Sequence, residues 1–179
     1  MTYSEIIEFW FGEIEPESWW KKDDTFDQLI RERFLGIYQQ AAKCELFGWR
    51  QDAQGRLAEI IVLDQFPRNM FRDTPQAFAT DGFALILAQE AIVNRIDREL
   101  TPPQKSFLYM PLMHSESPMI HKTAMELYSQ PGLEFNLGFE KKHKAIIDRF
   151  DRYPHRNAIL GRESTDEEVD FLAEPESSF

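Results

Sequence analysis

The feature that most constrains this chain is a repeated order of helix signals: a capping residue, an apolar stripe, then a proline or glycine. In the first long segment, Asp24 precedes Phe26, Ile30 and Phe34, which recur at steps of four. The order returns along the chain, and no stretch alternates apolar and polar residues for long enough to predict a strand. The sequence therefore predicts an all-α fold, a compact bundle of about eight helices paired as antiparallel hairpins.

Chain length and proline positions define the expected domain. At 179 residues and 21.1 kDa, the chain fits a single domain over 1–179 with one core, and we expect the tail over 174–179 to be frayed. Because proline lacks an N–H and clashes with the preceding helical turn, we expect one helix to stop at Pro67 and another to be interrupted at Pro111.

The acidic charge and the single cysteine limit the expected partners and location. A formal net charge of −11 repels phosphate backbones and anionic lipids, so we predict neither nucleic-acid nor membrane partners. The apolar runs are too short to span a bilayer, and no basic region precedes the first apolar residues, so we predict a cytoplasmic protein without a signal peptide. Cys44 cannot form an internal disulfide, and its apolar stripe predicts a buried, unreactive thiol.

Two stretches share a pattern that marks the candidate site. Asp64-Gln65-Phe66-Pro67 and Asp151-Arg152-Tyr153-Pro154 each end an apolar helical run, and an Arg and an Asn follow each proline. An aspartate in the last turn of a helix opposes the helix dipole, so both aspartates need cationic partners. Six of the twelve arginines lie in or beside these stretches. We expect the two stretches to lie close together in the fold.

The arginines support two interpretations that can hold together. In one, Asp and Arg side chains pair and lock helix ends. In the other, some guanidinium groups face a cleft and bind a carboxylate or phosphate in bidentate fashion. We predict a binding module for a small anionic ligand, or for an acidic segment of a protein partner. Its predicted ligand-binding residues are Arg68, Asn69, Arg152, His155, Arg156 and Asn157.

Histidines near these stretches raise the alternative of a hydrolase-type enzyme with a histidine general base. The candidate catalytic residues are His114, Glu116, His143 and His155. His143 also fits a core histidine, because it lies on the apolar face of its helix. No dense metal-ligand spacing occurs, so we predict no metal and no cofactor. A third alternative is a structural protein in which all these polar groups pair internally.

Three stretches of the chain resemble a bacterial family known as domain of unknown function 924. They are LDQFPRNMFR, YMPLMHSE and RFDRYPHRNAILGRESTDEEVDFL, and the resemblance extends over nearly the whole chain. It implies tetratricopeptide-like pairs of antiparallel helices and no particular reaction. A regular repeat of about 34 residues is not recognisable, so we expect a compact irregular bundle instead of an extended repeat array.

Overall fold

A computed structural model of the protein describes residues 1–175 and 177. The regular secondary structure in this part of the chain is helical, with turns between the helices. Its eight α-helices are α1 (Tyr3–Glu8), α2 (Asp24–Ala42), α3 (Ala53–Met70), α4 (Asp81–Val93), α5 (Pro102–Met113), α6 (Pro118–Tyr128), α7 (Glu134–Phe150) and α8 (Asp166–Leu172). The described residues form no strand, so the all-α prediction with about eight helices is confirmed. None of these helices has both the length and the hydropathy of a membrane span.

The chain forms two compact units. Unit 1 comprises Met1–Arg72 and Gln76–Pro111, and unit 2 comprises Asp73–Pro75 and the chain from Leu112 onward. The single domain over 1–179 stays a prediction. The frayed tail expected over 174–179 includes residues 176, 178 and 179, which lie outside the described residues.

Helix α3 is the centre of unit 1. Most of its residues are buried, and α1, α2 and α4 pack against it. Three buried aromatic rings join these helices: the Phe34 ring lies 4.6 Å from that of Phe9 and 4.7 Å from that of Phe66. The consecutive apolar residues Ile60 to Leu63 lie on several sides of α3, so the helix is stable in water only when other helices cover it, which explains this arrangement.

The prediction that Pro67 ends a helix is wrong. Helix α3 continues through Pro67 to Met70. A proline cannot donate to the carbonyl four residues earlier, and here the Thr80 hydroxyl donates to that Leu63 carbonyl at 2.6 Å instead. Asp64 therefore lies inside the helix, not in its last turn.

Two other sequence predictions, the interruption of a helix at Pro111 and the burial of Cys44, are also wrong. Helix α5 runs through Pro111 to Met113 without interruption. Cys44 is exposed, because α2 ends at Ala42 and Cys44 has a left-handed backbone with φ of 60°. The apolar stripe that suggested burial of the thiol stops three residues earlier, at the buried Ala41.

In unit 2, helices α6 and α7 pack against each other, and an apolar cluster forms near the end of α7. Ile146, Ile147, Tyr153 and Phe171 are buried there, with Phe150 packed against them. Thr165 and Glu168 form the capping box that begins α8. This cluster supports the turn that carries the candidate site.

Candidate functional site

Tyr153 lies at the centre of a polar cluster in unit 2. The tyrosine is completely buried, and its ring centroid lies 5.7 Å from that of His143, 5.5 Å from that of His155 and 6.3 Å from that of His121. The Arg156 guanidinium carbon lies over the same ring, 4.6 Å from its centroid. We call these five residues the Tyr153 cluster.

The chain brings Tyr153 and Arg156 together by ending α7 abruptly. Asp151 has a left-handed backbone with φ of 54° at the helix C-cap, a conformation that aspartate tolerates better than most residues. Tyr153 precedes a proline and is therefore held extended, with φ −92° and ψ 106°. The 3-10 turn Pro154–Arg156 then brings the Arg156 side chain over the tyrosine ring.

Glu116 and Arg162 hold the backbone of Tyr153. The Glu116 Oε1 accepts the Tyr153 N–H at 2.8 Å, and Arg162 donates to both Glu116 oxygens at 2.7 and 2.9 Å. Arg162 also donates to the Tyr153 carbonyl at 3.2 Å. Burial opposes ionisation of Glu116, but the hydrogen bonds from Arg162 and the Tyr153 N–H outweigh it and lower the pKa of Glu116. Glu116, a predicted catalytic candidate, therefore positions this turn as an ionised carboxylate.

His121 and Glu140 form a completely buried pair beneath the tyrosine. The His121 Nδ1 lies 2.7 Å from the Glu140 Oε1, and its Nε2 lies 2.8 Å from the Ser115 carbonyl oxygen. Because a carbonyl only accepts, Nε2 carries a hydrogen, and one further proton lies between Nδ1 and Oε1. Burial raises the pKa of Glu140, while His121 opposes that rise. The Tyr153 hydroxyl lies 3.3 Å from the same Nε2 and donates to the Met113 carbonyl at 2.5 Å.

His143 is a neutral imidazole at neutral pH. Its Nδ1 lies 2.9 Å from the Phe139 carbonyl oxygen and therefore carries the hydrogen. Burial, helped by the nearby His114, His121 and His155, lowers the pKa of His143 to about 3, although the hydrogen bond to the Phe139 carbonyl opposes this shift. The other three histidines of the chain thus lie within electrostatic reach of His143.

Arg152 and Asn157 support the turn from the side of α8. Arg152 donates to both Glu168 oxygens at 2.5 and 2.6 Å, which lowers the pKa of Glu168 to about 2, helped by the Thr165 N–H. Asn157 is buried, and its amide donates to the Ser164 hydroxyl at 3.0 Å. Arg152 and Asn157, two of the six predicted ligand-binding residues, therefore make internal contacts that hold the loop after Pro154.

Arg68 and Asn69 belong to a separate network in unit 1. Arg68 donates to both Asp81 oxygens at 2.8 and 2.9 Å and to the Asp64 carbonyl at 2.6 Å. The Asn69 amide donates to Asp27 at 2.7 Å. These contacts lie within unit 1, so a cleft shared by both sequence stretches stays a prediction.

Sequence reasoning missed His121 and Glu140. His121 shares a buried stripe of α6 with Ala124 and Tyr128, and Glu140 lies one turn before His143 on a buried stripe of α7. A polar residue at a core position of an amphipathic helix is the signal that marks each of them as a candidate before a structure is known, but it does not show which residue is the partner.

The chemistry of the Tyr153 cluster is that of hydrogen bonds and charge. Within residues 1–175 and 177, no group of three or more His, Cys, Asp and Glu side chains is arranged to hold a metal ion. Both ring nitrogens of His121 are hydrogen-bonded, to the Glu140 carboxyl group and to the Ser115 carbonyl oxygen. The Nδ1 of His143 is hydrogen-bonded to the Phe139 carbonyl oxygen. The one permanently cationic member is Arg156, since a guanidinium stays protonated at every physiological pH.

Comparisons with known proteins identify a family and a matching fold. A solved structure of a protein of unknown function from Agrobacterium tumefaciens has 36% sequence identity to this chain and a TM-score of 0.87, and the match covers 96% of each chain. No curated protein matches. A family model described as a bacterial protein of unknown function, DUF924, matches residues 6–176. With nearly its whole length matched, the chain belongs to the DUF924 family.

Proposed function

We propose that the Tyr153 cluster binds a small anionic molecule through a carboxylate or phosphate group. One observation carries this proposal: a guanidinium and three imidazoles surround a single buried aromatic ring. Stacking on Tyr153 restricts the Arg156 guanidinium, so less conformational entropy is lost when its planar donors engage an oxyanion in bidentate fashion.

The carboxylates near the Tyr153 cluster are paired with other groups, which leaves the cluster suited to binding an anion. Glu116 takes hydrogen bonds from Arg162, and Glu168 takes them from Arg152. The His121–Glu140 pair shares its proton and has no net charge as an ion pair or as a neutral pair. Each of these carboxylates takes its hydrogen bonds from a group other than Arg156, which limits its repulsion of an incoming oxyanion, and Arg156 also attracts Glu116 electrostatically.

Burial favours a small molecule over an acidic segment of a protein partner. Tyr153 and His121 are completely buried, and His143 is 8% exposed. A protein segment docks on an exposed surface, whereas small ligands are enclosed by apolar side chains with a few polar groups among them. The site proposed here uses His155 and Arg156 from the predicted ligand-binding residues. Cytoplasmic location and the absence of nucleic-acid partners stay predictions.

A hydrolase-type reaction has less support from these residues. A general base works best when its pKa lies near the working pH, and His143 has a pKa of about 3. His121 is oriented by a carboxylate like a catalytic histidine, but its Nε2 donates to the Ser115 carbonyl. The favoured role for both imidazoles is therefore to shape and polarise a binding site.

A thermal-unfolding screen tests the proposal directly. Inorganic phosphate, dicarboxylates, sugar phosphates and nucleotides would each be added to the full chain. A ligand at about 100 times its Kd adds roughly 2.7 kcal/mol to the unfolding free energy, which raises Tm by about 5 to 10 °C for a protein of this size. The strongest ligand would then be titrated by calorimetry.

Matched arginine variants separate this site from general charge effects. Arg156→Lys keeps the charge but loses bidentate geometry, and we expect it to weaken binding at least tenfold while the protein stays folded. Arg149→Gln is the control, because Arg149 pairs with Glu167 on an exposed surface. The proposal fails if no anion shifts the wild-type Tm, or if both variants bind as the wild type does. In either case Arg156 contributes to the structure of the turn and not to anion binding.

A further inference from the structure

The segment at residues 163–172, which includes α8, holds the start of the turn that carries the proposed anion site. Arg152, the residue before Tyr153, donates to both Glu168 oxygens of α8 at 2.5 and 2.6 Å. It also donates to the Glu163 carbonyl at 3.0 Å. Because a planar guanidinium fork fixes both distance and orientation, these contacts restrict where the backbone can place the Tyr153 ring.

The same segment also holds the end of the turn. Asn157, the residue after Arg156, is buried, and its amide donates to the Ser164 hydroxyl at 3.0 Å. Phe171 of α8 adds an apolar contact, because it is buried in the cluster that contains Tyr153. The tyrosine and the arginine of the site thus lie between two attachment points that one short stretch of chain supplies.

Helix α8 itself is held by few apolar contacts. It has seven residues, and its buried residues are Glu168 and Phe171, whereas Val169 is 56% exposed and Leu172 36%. A helix of this length is not stable in water without its tertiary contacts. Helix α7 has 17 residues and a longer buried face. Because segments with few buried apolar contacts open at a lower free energy than the core, we expect α8 to open before α7 does.

We infer that α8 is a releasable latch that regulates the anion site proposed above, on whose existence this regulatory role rests. When α8 is docked, the turn is held at Arg152 and Asn157, and the Arg156 guanidinium lies over the aromatic ring of the site. When α8 is released, both attachment points are lost and the turn no longer keeps the guanidinium in place. A bound anion needs the docked state, so anion binding and α8 docking stabilise each other by the same free energy.

Hydrogen exchange of the full chain without ligand, measured for each residue by NMR, tests the latch. The Val169 amide donates to the Thr165 carbonyl and reports on α8. The Asn157 amide donates to the Pro154 carbonyl and reports on the turn. We expect both amides to exchange faster than the most protected amides of α7, by roughly tenfold or more. Exchange in α8 that is as slow as in α7 would refute the latch.

A matched pair of glutamate variants tests the connection between α8 and the turn. Glu168→Gln removes the charge pair with Arg152 and should speed exchange in both α8 and the turn by roughly tenfold or more. Glu167→Gln is the control, because Glu167 pairs with Arg149 on the exposed surface and should change both rates little. Circular dichroism verifies that both variants keep their helices. Faster exchange in α8 alone would show that the turn is held without the latch and would overturn the inference.

Inorganic phosphate then tests the coupling between α8 and the anion site. At a saturating concentration it should slow exchange of the α8 amides in the wild type, and Glu168→Gln should bind it roughly tenfold or more weakly. Equal phosphate affinity of the wild type and Glu168→Gln would overturn the regulatory role of α8. Absence of phosphate binding to the wild type would instead count against the proposed anion site, and the exchange measurement without ligand still decides whether α8 is a latch.

Discussion

The two proline stretches share a sequence pattern but differ in structure. Pro67 lies inside α3, where the Thr80 hydroxyl replaces the missing hydrogen bond to Leu63. Pro154 begins a separate 3-10 turn after α7 has ended at a left-handed Asp151. A proline can thus lie inside a helix when an outside group satisfies the carbonyl that it leaves without a donor.

The two stretches also differ in the chemistry that supports them. The helical turn at Pro67 depends on a neutral hydroxyl, on its buried position in unit 1 and on the ion pair of Arg68 with Asp81. The turn after α7 depends on ionised or protonated groups, chiefly Glu116, Glu168 and the His121–Glu140 pair. We therefore expect the second turn to respond to titration of histidine, because all four histidines of the chain lie in unit 2 and none lies in the first stretch.

Replacement of His121 should have the largest effect. His121→Leu leaves Glu140 buried without its partner, and breaking a buried pair from one side typically costs about 3 to 5 kcal/mol. Glu140→Gln should cost much less, because the amide can donate to Nδ1 and keep Nε2 as the donor to Ser115. Urea unfolding measures both. Equal losses in the two variants would contradict the shared-proton description of the pair.

Lowering the pH should lower the free energy of unfolding through the titration of groups in unit 2. Since the folded pKa of His143 is about 3 against an ordinary 6.5, the unfolded chain binds more protons between these values, and stability falls as pH drops. The slope is about 1.4 kcal/mol per pH unit for one group. Glu168, with a pKa of about 2 against 4.5, adds to the loss only below the higher value.

Unfolding in urea between about pH 7 and pH 5 avoids the Glu168 contribution, since this window lies above the ordinary pKa of Glu168, and comparison with a His143 variant then gives the His143 share of the slope. His143→Gln should flatten the dependence by close to one proton, because the amide cannot titrate. Thr80→Ser is the matched variant from the first turn and should retain the full slope. A slope that is unchanged in His143→Gln would assign the acid sensitivity to other groups.

Removal of the Thr80 hydroxyl should have an intermediate effect. Thr80→Val leaves the Leu63 carbonyl buried without a donor, at a cost of about 1 to 3 kcal/mol. Thr80→Ser keeps the hydroxyl and should cost less. In a Pro67→Ala background the new alanine N–H can donate to Leu63, so the Thr80→Val cost should shrink there. Additive losses in the double variant would refute the proposed replacement of one donor by another.

Replacement of either proline should have the smallest effect on the free energy of unfolding. We expect a loss of stability at Pro154 and little change at Pro67. Pro154→Ala should lower the unfolding free energy by about 0.4 to 1 kcal/mol, because the unfolded chain gains freedom and Tyr153 loses its restriction to extended geometry. Pro67→Ala should change stability by less than about 1 kcal/mol, since the gained N–H offsets a small buried cavity. Thermal unfolding compares the two. A larger loss at Pro67 than at Pro154 would reverse our assignment of their roles.

Part of the candidate site was predictable from the sequence. The pattern Asp151-Arg152-Tyr153-Pro154 followed by His155, Arg156 and Asn157 identified the loop that carries the Tyr153 cluster. His143 was recognised as a histidine on an apolar face and is buried there. The contribution of His121 and Glu140 was not predictable from spacing, because they lie on different helices and meet only when α6 packs on α7.

The helices could be predicted from local sequence, since apolar periodicity and the Thr165 capping box act between residues close in the chain. Whether a proline lies inside a helix or after its end, and which carboxylate each arginine selects, depends on the tertiary structure. Arg68 pairs with Asp81, thirteen residues away, and Arg162 pairs with Glu116, forty-six residues away. Such choices depend on which distant groups packing brings within hydrogen-bond distance, and the local pattern carries no information about that distance.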